Sequence, residues 1–352
     1  MDLNAAVIGC GNIAKYHFSG LEKAGARIKW VCDLDPAVSA PWAEKCKAQA
    51  TKDYHELLAD PEVDLVNVTT ISAAHRAICT DAIKAGKHVI CEKTLAENAE
   101  DSLAIVEAAE ASDKNFYTSY MKRFIPAVEK AKEILPSLGR IFNAHVRAYQ
   151  GWGQPWKDPA PTSWFYTPPD GPSIIRKKYG GGILVCGGSH LLDLSNFLVG
   201  RPERLCGSMF VPEGKDYDMY AGALMETEAG SAIHFDSWAH ALGRTVGFLN
   251  DSWDEVVEIN AEYGRLVILS CSWTDITTKS SLLVHHDGKT GQTTTHSFAP
   301  CSPFDRAMAF FCENIRNGTQ GTQSKRTGYE VDKLIASIKQ SATAGASVDI
   351  AW

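Results

Sequence analysis

The chain has no long run of lysine or arginine, and its formal net charge is −7. With nothing to neutralise a phosphate backbone or an anionic lipid surface, no nucleic-acid or membrane partner is expected. No uninterrupted apolar stretch approaches the roughly 18 residues that a membrane-spanning helix needs. The first strand-like residues, Ala5-Ala6-Val7-Ile8-Gly9, arrive without a basic, then apolar, then small-residue leader, so no export signal is expected. Ten cysteines are scattered along the sequence, yet no C-x-x-C pair occurs. That excludes a zinc ribbon or a thioredoxin-like motif, and no metal site is expected. Several thiols sit in apolar segments such as Val89-Ile90-Cys91, where they act as small hydrophobes. The expectation is free thiols in a reducing compartment, the cytoplasm.

What is present suits two domains, since 352 residues exceed one small core. Over residues 1–125, short apolar runs alternate with helical patterns. Strands are expected at Ala5–Gly9, Ile28–Asp33, Leu65–Thr69, His88–Cys91 and Phe116–Tyr120, with helices at Ile13–Ala24, Glu56–Ala59, Ala73–Ala85 and Ala99–Ala111. This alternation predicts an α/β unit, a doubly wound parallel sheet of the Rossmann type. Residues 126–352 read differently. A long strand at Ile141–Tyr149, an irregular Pro/Trp/Gly-rich stretch, a helix at Ile183–Val199 and a series of strands up to His296 predict a second α/β domain. Its sheet is expected to be large, open and mostly antiparallel, with two helices closing the chain.

Gly9-Cys10-Gly11-Asn12-Ile13-Ala14 follows the first strand and opens the first helix. In that setting Gly9 permits a tight turn, Gly11 lets a pyrophosphate approach the backbone, and Ala14 allows close helix–strand packing. The helix N-terminus then offers free N–H groups and partial positive charge to the phosphates. A little over twenty residues later, Trp30-Val31-Cys32-Asp33 ends the second strand with an acid. A carboxylate there accepts hydrogen bonds from ribose hydroxyls and repels a 2′-phosphate, which favours NAD over NADP.

Two further segments carry chemistry. Glu92-Lys93-Thr94 lies just past the strand His88–Cys91, where a lysine can hydrogen-bond a substrate hydroxyl and stabilise charge on its oxygen. The bland alternative is a solvated surface lysine. In Gly180-Gly181-Gly182…Cys186-Gly187-Gly188-Ser189-His190-Leu191-Leu192-Asp193, a continuous helix would put 186, 190 and 193 on one face. A histidine there can exchange a proton with an alcohol near neutral pH, although many such histidines only serve a core.

Together these segments resemble the glucose–fructose oxidoreductase/inositol dehydrogenase (Gfo/Idh/MocA) family. The likeness runs through His17 in the opening motif, Val68-Thr69-Thr70-Ile71-Ser72-Ala73-Ala74-His75, Ala85-Gly86-Lys87-His88-Val89 before Glu92-Lys93, Tyr120-Met121-Lys122-Arg123-Phe124, the glycine–histidine helix, and Asn314-Ile315-Arg316-Asn317-Gly318. The resemblance implies an NAD-dependent oxidoreductase acting on a secondary hydroxyl of a sugar, sugar derivative or polyol, with Lys93 and His190 as the catalytic pair. It implies cofactor contacts from Gly9, Gly11, Asn12, Ile13, Asp33, Thr70, His75, Glu92 and Lys93. It also implies a homodimer or homotetramer formed through the C-terminal sheet.

Departures from the family pattern are visible. Its usual Glu-Lys-Pro is Glu92-Lys93-Thr94, its usual Thr-Pro is Thr70-Ile71, and Cys186 stands where many members carry an aspartate. Cys186 reads as a passive small residue, as an oxidation-sensitive thiol, or as the mark of a site that has lost catalysis. Substrate contacts are expected from Arg123, Trp152, Trp164, Cys186 and Asp193. Trp156, Lys157, Asp158 and Tyr166 are further lining candidates, and His240 is a weaker one. The aromatic faces suit the C–H faces of sugar rings, or else pack a loop or a subunit contact. Two alternatives stay open: a nicotinamide-dependent enzyme that cleaves glycosides through transient oxidation, and a non-catalytic dinucleotide sensor.

Overall fold

The computed structural model describes residues 2–153, 163, 165–242, 252–270 and 279–352. Contacts divide the chain into two units. One comprises Met1–Met121 with Pro303–Asp332, the other Lys122–Ser302 with Lys333–Trp352.

The first unit begins β1 (Leu3–Ile8), α1 (Ala14–Lys23), β2 (Ala26–Cys32), α2 (Pro36–Cys46), β3 (Gln49–Thr51), α3 (Tyr54–Ala59), β4 (Leu65–Val68), α4 (Ser72–Lys84), β5 (His88–Cys91), α5 (Ala99–Glu110) and β6 (Phe116–Thr118). The strands form one parallel sheet in the order β3-β2-β1-β4-β5-β6. Strand order reverses between β1 and β4, which is where doubly wound sheets open a ligand crevice at their C-terminal ends. Every residue of β4 is buried, and so are Ala5 to Ile8 of β1. Central strands covered on both faces account for the near-continuous apolar runs in the sequence.

The second unit contains α6 (Pro126–Ile134), β7 (Ile141–Gly151), α7 (Ile174–Tyr179), α8 (Ser189–Leu198), β8 (Pro202–Phe210), β9 (Tyr220–Thr227), β10 (Ala232–His240), β11 (Trp253–Ala261), β12 (Gly264–Ser270), β13 (Leu282–Asp287) and β14 (Gln292–Ser297). The chain then returns to the first unit with α9 (Pro303–Arg316) and ends in α10 (Thr327–Ala344) and β15 (Val348–Asp349). Nine strands make an open sheet in the order β14-β13-β12-β11-β7-β10-β9-β8-β15. All neighbours are antiparallel except β7 and β10. Helices α6 and α8 pack on one face. The other face shows alternating side chains such as His145, Arg147, His234, Leu224 and Trp238, the last two being 53% and 36% exposed.

The return of residues 303–332 to the first unit departs from a boundary drawn at 125/126. The reason is packing: α9 lies along α1, Phe304 stacks on Tyr16 at 5.0 Å, and Phe311 stacks on Tyr117 at 4.5 Å. Beyond α9, the Gln320 side chain both donates to the Phe116 carbonyl (2.8 Å) and accepts from the Phe116 N–H (3.3 Å). Gln323 donates to the Thr118 carbonyl at 2.7 Å, so the outer edge of β6 is paired by side chains.

Candidate functional sites

In the first unit the glycine turn sits at the C-terminal end of β1. Gly9 has φ +89°, and an added Cβ would lie 2.8 Å from the Thr69 carbonyl, so only glycine fits. Gly11 faces open space, with nothing within 4 Å of an added Cβ. Helix α1 starts just beyond, and its N-cap residue Ile13 supplies no side-chain cap. No side-chain cap from Ile13 stands at the positive end of the helix, while the Ala14 and Tyr16 N–H groups bond the Gly11 and Ile13 carbonyls. Asp33 follows β2. Its Oδ2 accepts from the Cys10 N–H at 2.8 Å and its Oδ1 from the Asp35 N–H at 2.9 Å. These bonds fix the carboxylate while leaving each oxygen a lone pair for a ribose hydroxyl. Glycine gap, uncapped helix and oriented acid together fit a dinucleotide.

The residues around Lys93 are braced from behind. The His17 Nε2 meets Glu92 Oε1 at 2.7 Å, its Nδ1 faces Asn67 Oδ1 at 3.1 Å, and Glu92 Oε2 accepts from the Lys93 N–H at 3.0 Å. Burial alone would raise the Glu92 carboxyl. The hydrogen bond and charge of His17, with the charge and N–H of Lys93, outweigh it and hold the pKa below the usual glutamate range. Glu92 is thus occupied by His17 and by the Lys93 backbone. His75 is wholly buried. Its Nδ1 faces the Thr94 and Leu95 carbonyls (3.1 and 3.2 Å) and its Nε2 the Thr70 carbonyl (3.1 Å). Burial pushes the imidazole pKa down, against the pull of those carbonyls. His75 ties the loop after β4 to the loop after Lys93. The Lys93–Thr94 peptide is cis. Asn12 is exposed, and Ile13 and Thr70 are half-buried.

In the second unit, the single helix expected over Ile183–Val199 divides. Residues Leu184–Gly188 form a π-helical turn, and α8 begins at Ser189. A π turn takes in an extra residue, so the segment is not one continuous α-helix. Cys186 packs against a cluster of Ile175, Ile183, Tyr217, Met219 and Ala239. Two glycines lie within the turn. A Cβ on Gly187 would lie 2.4 Å from the Gln150 amide, and one on Gly188 would lie 3.1 Å from Phe235. A side chain at Gly187 would have to displace the Gln150 amide, and one at Gly188 would press on Phe235.

His190, the second residue of α8, is buried to 9% exposure, and Asp193 is completely buried. Asp193 is held by Arg123, whose Nε and Nη2 reach it at 2.8 and 2.6 Å. Trp152 donates from Nε1 to the Gln150 oxygen at 3.1 Å and packs its ring on Phe165 at 5.4 Å. Gln150 in turn donates to Glu255 at 2.9 Å, and Glu255 forms a buried ion pair with Lys122. Tyr166 is half-buried, and His240 is buried, which lowers its pKa. Trp156, Lys157, Asp158 and Trp164 lie outside the described residues. Sequence reasoning missed Gln150, Glu255 and Asp218 as structural partners of this region. None stands in a motif, and each acts from a strand or loop remote in sequence from the glycine–histidine segment.

A parallel sheet with this strand order, glycine turn and strand-end acid defines a dinucleotide-binding α/β protein. The chain belongs to the Gfo/Idh/MocA family: residues 3–120 match its "Oxidoreductase family, NAD-binding Rossmann fold" and residues 128–267 its "GFO/IDH/MocA C-terminal domain". Among its relatives, a levoglucosan dehydrogenase of Pseudarthrobacter phenanthrenivorans is 28% identical over 213 residues, covering 57% of this chain and 52% of that protein. A myo-inositol 2-dehydrogenase of Thermotoga maritima is 26% identical over 275 residues, covering 75% of this chain and 74% of the relative. The chain spans about half the length of the first of these, and 46% of an inositol 2-dehydrogenase of Salmonella typhimurium. A solved levoglucosan dehydrogenase in complex with NADH and levoglucosan shares the fold over the full length of both chains, with TM-score 0.84 and 21% identity.

Proposed function

We propose that the protein is an NAD-dependent oxidoreductase that moves a hydride between the nicotinamide and a secondary hydroxyl of a sugar, sugar derivative or polyol. The observation that carries this reading is the dinucleotide cradle of Gly9, Gly11 and Asp33, in a chain whose relatives are named as levoglucosan, inositol and xylose dehydrogenases. The first unit binds the dinucleotide in this reading, and the second supplies substrate recognition and assembly.

Asp33 binds ribose hydroxyls and disfavours a 2′-phosphate, which selects NAD over NADP. When bound, NAD takes up the hydride released from the alcohol carbon. His190 takes the hydroxyl proton as general base, within the pH range where imidazole exchanges protons. Lys93 donates a hydrogen bond to the substrate oxygen and offsets the charge developing on it. Trp152 and Cys186 contribute to the substrate surface, and Arg123 with Asp193 fixes the helix that carries His190. The exposed face of the nine-stranded sheet, with Leu224 and Trp238, is the surface for a homodimer or homotetramer. Cytoplasmic residence is supported by the free, buried thiols Cys10, Cys32, Cys79, Cys91 and Cys312.

The test follows nicotinamide absorbance when purified protein meets NAD or NADP and a panel of inositols, free sugars, glycosides and sugar acids. Turnover with NAD should fall about 10²–10⁴-fold in Lys93→Ala and His190→Ala. Tight NAD binding without turnover of any member would overturn the dehydrogenase reading, in favour of glycoside cleavage without net reduction or of a sensor.

A further inference from the structure

Five glycines flank the turn that precedes His190: Gly180, Gly181 and Gly182 before it, Gly187 and Gly188 within it. Such a backbone has little stiffness of its own. Its geometry therefore depends on what grips it from outside, and one residue does most of the gripping. Asp218, just before β9, accepts the Gly182 N–H at 3.0 Å on Oδ1 and the Leu184 N–H at 2.8 Å on Oδ2. Its main-chain carbonyl accepts the Ile183 N–H between them at 3.1 Å. Three consecutive donors at the start of the helical segment thus end on a single aspartate. The approach is so close that a Cβ on Gly182 would lie 1.9 Å from the Asp218 carbonyl oxygen. The Gly182 carbonyl then accepts the Cys186 N–H at 3.0 Å, which carries the grip into the π turn. Helix α8 follows directly, with His190 as its second residue.

We propose that Asp218 is a positioning residue for His190, setting the start of the turn whose far end aims the histidine. The proposal rests on the reading of His190 as the general base. A carboxylate this deeply buried is costly unless its hydrogen bonds are satisfied. Burial raises the Asp218 pKa, while the Leu184 and Gly182 N–H groups and the charge of Lys339 oppose that rise. The turn it holds thus supplies part of the carboxylate's compensation, alongside the charge of Lys339.

The test compares wild type, Asp218→Ala and Asp218→Asn in two readouts. One is the spectrum of isotopically labelled histidine, with the His190 signal assigned by its loss in His190→Gln. The other is the split between kcat and KM on whichever sugar, sugar derivative or polyol the wild type oxidises. Asp218→Ala should shift or broaden the His190 signal, lower kcat by about 10–100-fold and leave the KM for NAD within about twofold. Asp218→Asn keeps one oxygen acceptor in the same shape and should recover part of both signals. A folded Asp218→Ala protein with an unmoved His190 signal and wild-type kcat overturns the proposal. Should Asp218→Ala not fold, an unmoved His190 signal and unchanged kcat in Asp218→Asn overturn it instead. Should the wild type oxidise no sugar, sugar derivative or polyol, the functional reading fails, and the His190 signal alone decides whether Asp218 positions the histidine.

Discussion

Arg123 grips Asp193 through two guanidinium nitrogens, with the arginine side chain 9% exposed and the aspartate fully buried. The planar guanidinium also lies over the Phe197 ring, 4.8 Å from its centroid. Removing one partner leaves a buried charge without its counter-ion, a loss of about 3–5 kcal/mol. Arg123→Met and Asp193→Leu should each lower the urea unfolding free energy by about that amount. The double variant should lose markedly less, because no charge is then stranded. Additive losses in the double variant would show that the pair is not coupled.

The two glycines of the turn after β1 have separable roles. Gly9→Ala forces a side chain onto the Thr69 backbone at a positive φ, so thermal unfolding should show a loss of about 1–3 kcal/mol. Gly11→Ala meets no protein atom within 4 Å, and its stability should stay within about 0.5 kcal/mol of wild type. Its NAD affinity, read by fluorescence titration, should nevertheless fall, because the added methyl occupies the space left for the ligand.

Asp33 offers a test of cofactor choice. Asp33→Asn retains an oxygen that can accept the Cys10 N–H, but loses the charge that repels a 2′-phosphate. The ratio of kcat/KM for NAD over NADP should drop at least about tenfold, equivalent to about 1.4 kcal/mol. An unchanged ratio would assign the preference to other residues.

The Glu92–His17 contact predicts a pH dependence with a definite sign. The Glu92 pKa is held below its ordinary value of 4.5 in the folded protein. The folded state therefore favours the ionised carboxylate, and the stability this contributes is fully present above about pH 4.5. It is lost as the pH falls further, through the folded value. Glu92→Gln should be less stable at pH 7, with a shallower decline of the urea midpoint between about pH 5 and pH 3. Equal slopes in both proteins would show that another group governs the acid limb.

Most of the parallel sheet was legible because buried strands and amphipathic helices leave strong periodic signals, and His88–Cys91 was bounded to the residue. Helix α2 was not. Pro41 lies inside it and reads as a breaker, yet Asp35 caps the Ala37 N–H at 2.9 Å and Pro36 occupies the first turn, where a proline is tolerated. Strand β3 has only three residues, too short for any pattern. At the candidate sites, glycines and the Asp33 acid were readable because spacing carries their meaning. The π turn was not, since Gln150 and Phe235, the side chains that lie against its glycines, are brought in by the sheet. The Arg123–Asp193 pair shows the same limit: both residues were marked as candidates, but their mutual neutralisation is a tertiary fact.

The side-chain pairing along β6 bears on how the protein is made. Gln320 and Gln323, which satisfy the outer edge of that strand, lie some two hundred positions after it in the sequence. On the ribosome, the six-stranded sheet therefore emerges with a raw edge that stays unsealed while Lys122–Ser302 of the second unit is synthesised. During that interval β6 is a template for pairing with neighbouring nascent chains. A stop codon shortly before residue 320 would make that vulnerability permanent, even though every strand of the sheet had already been translated.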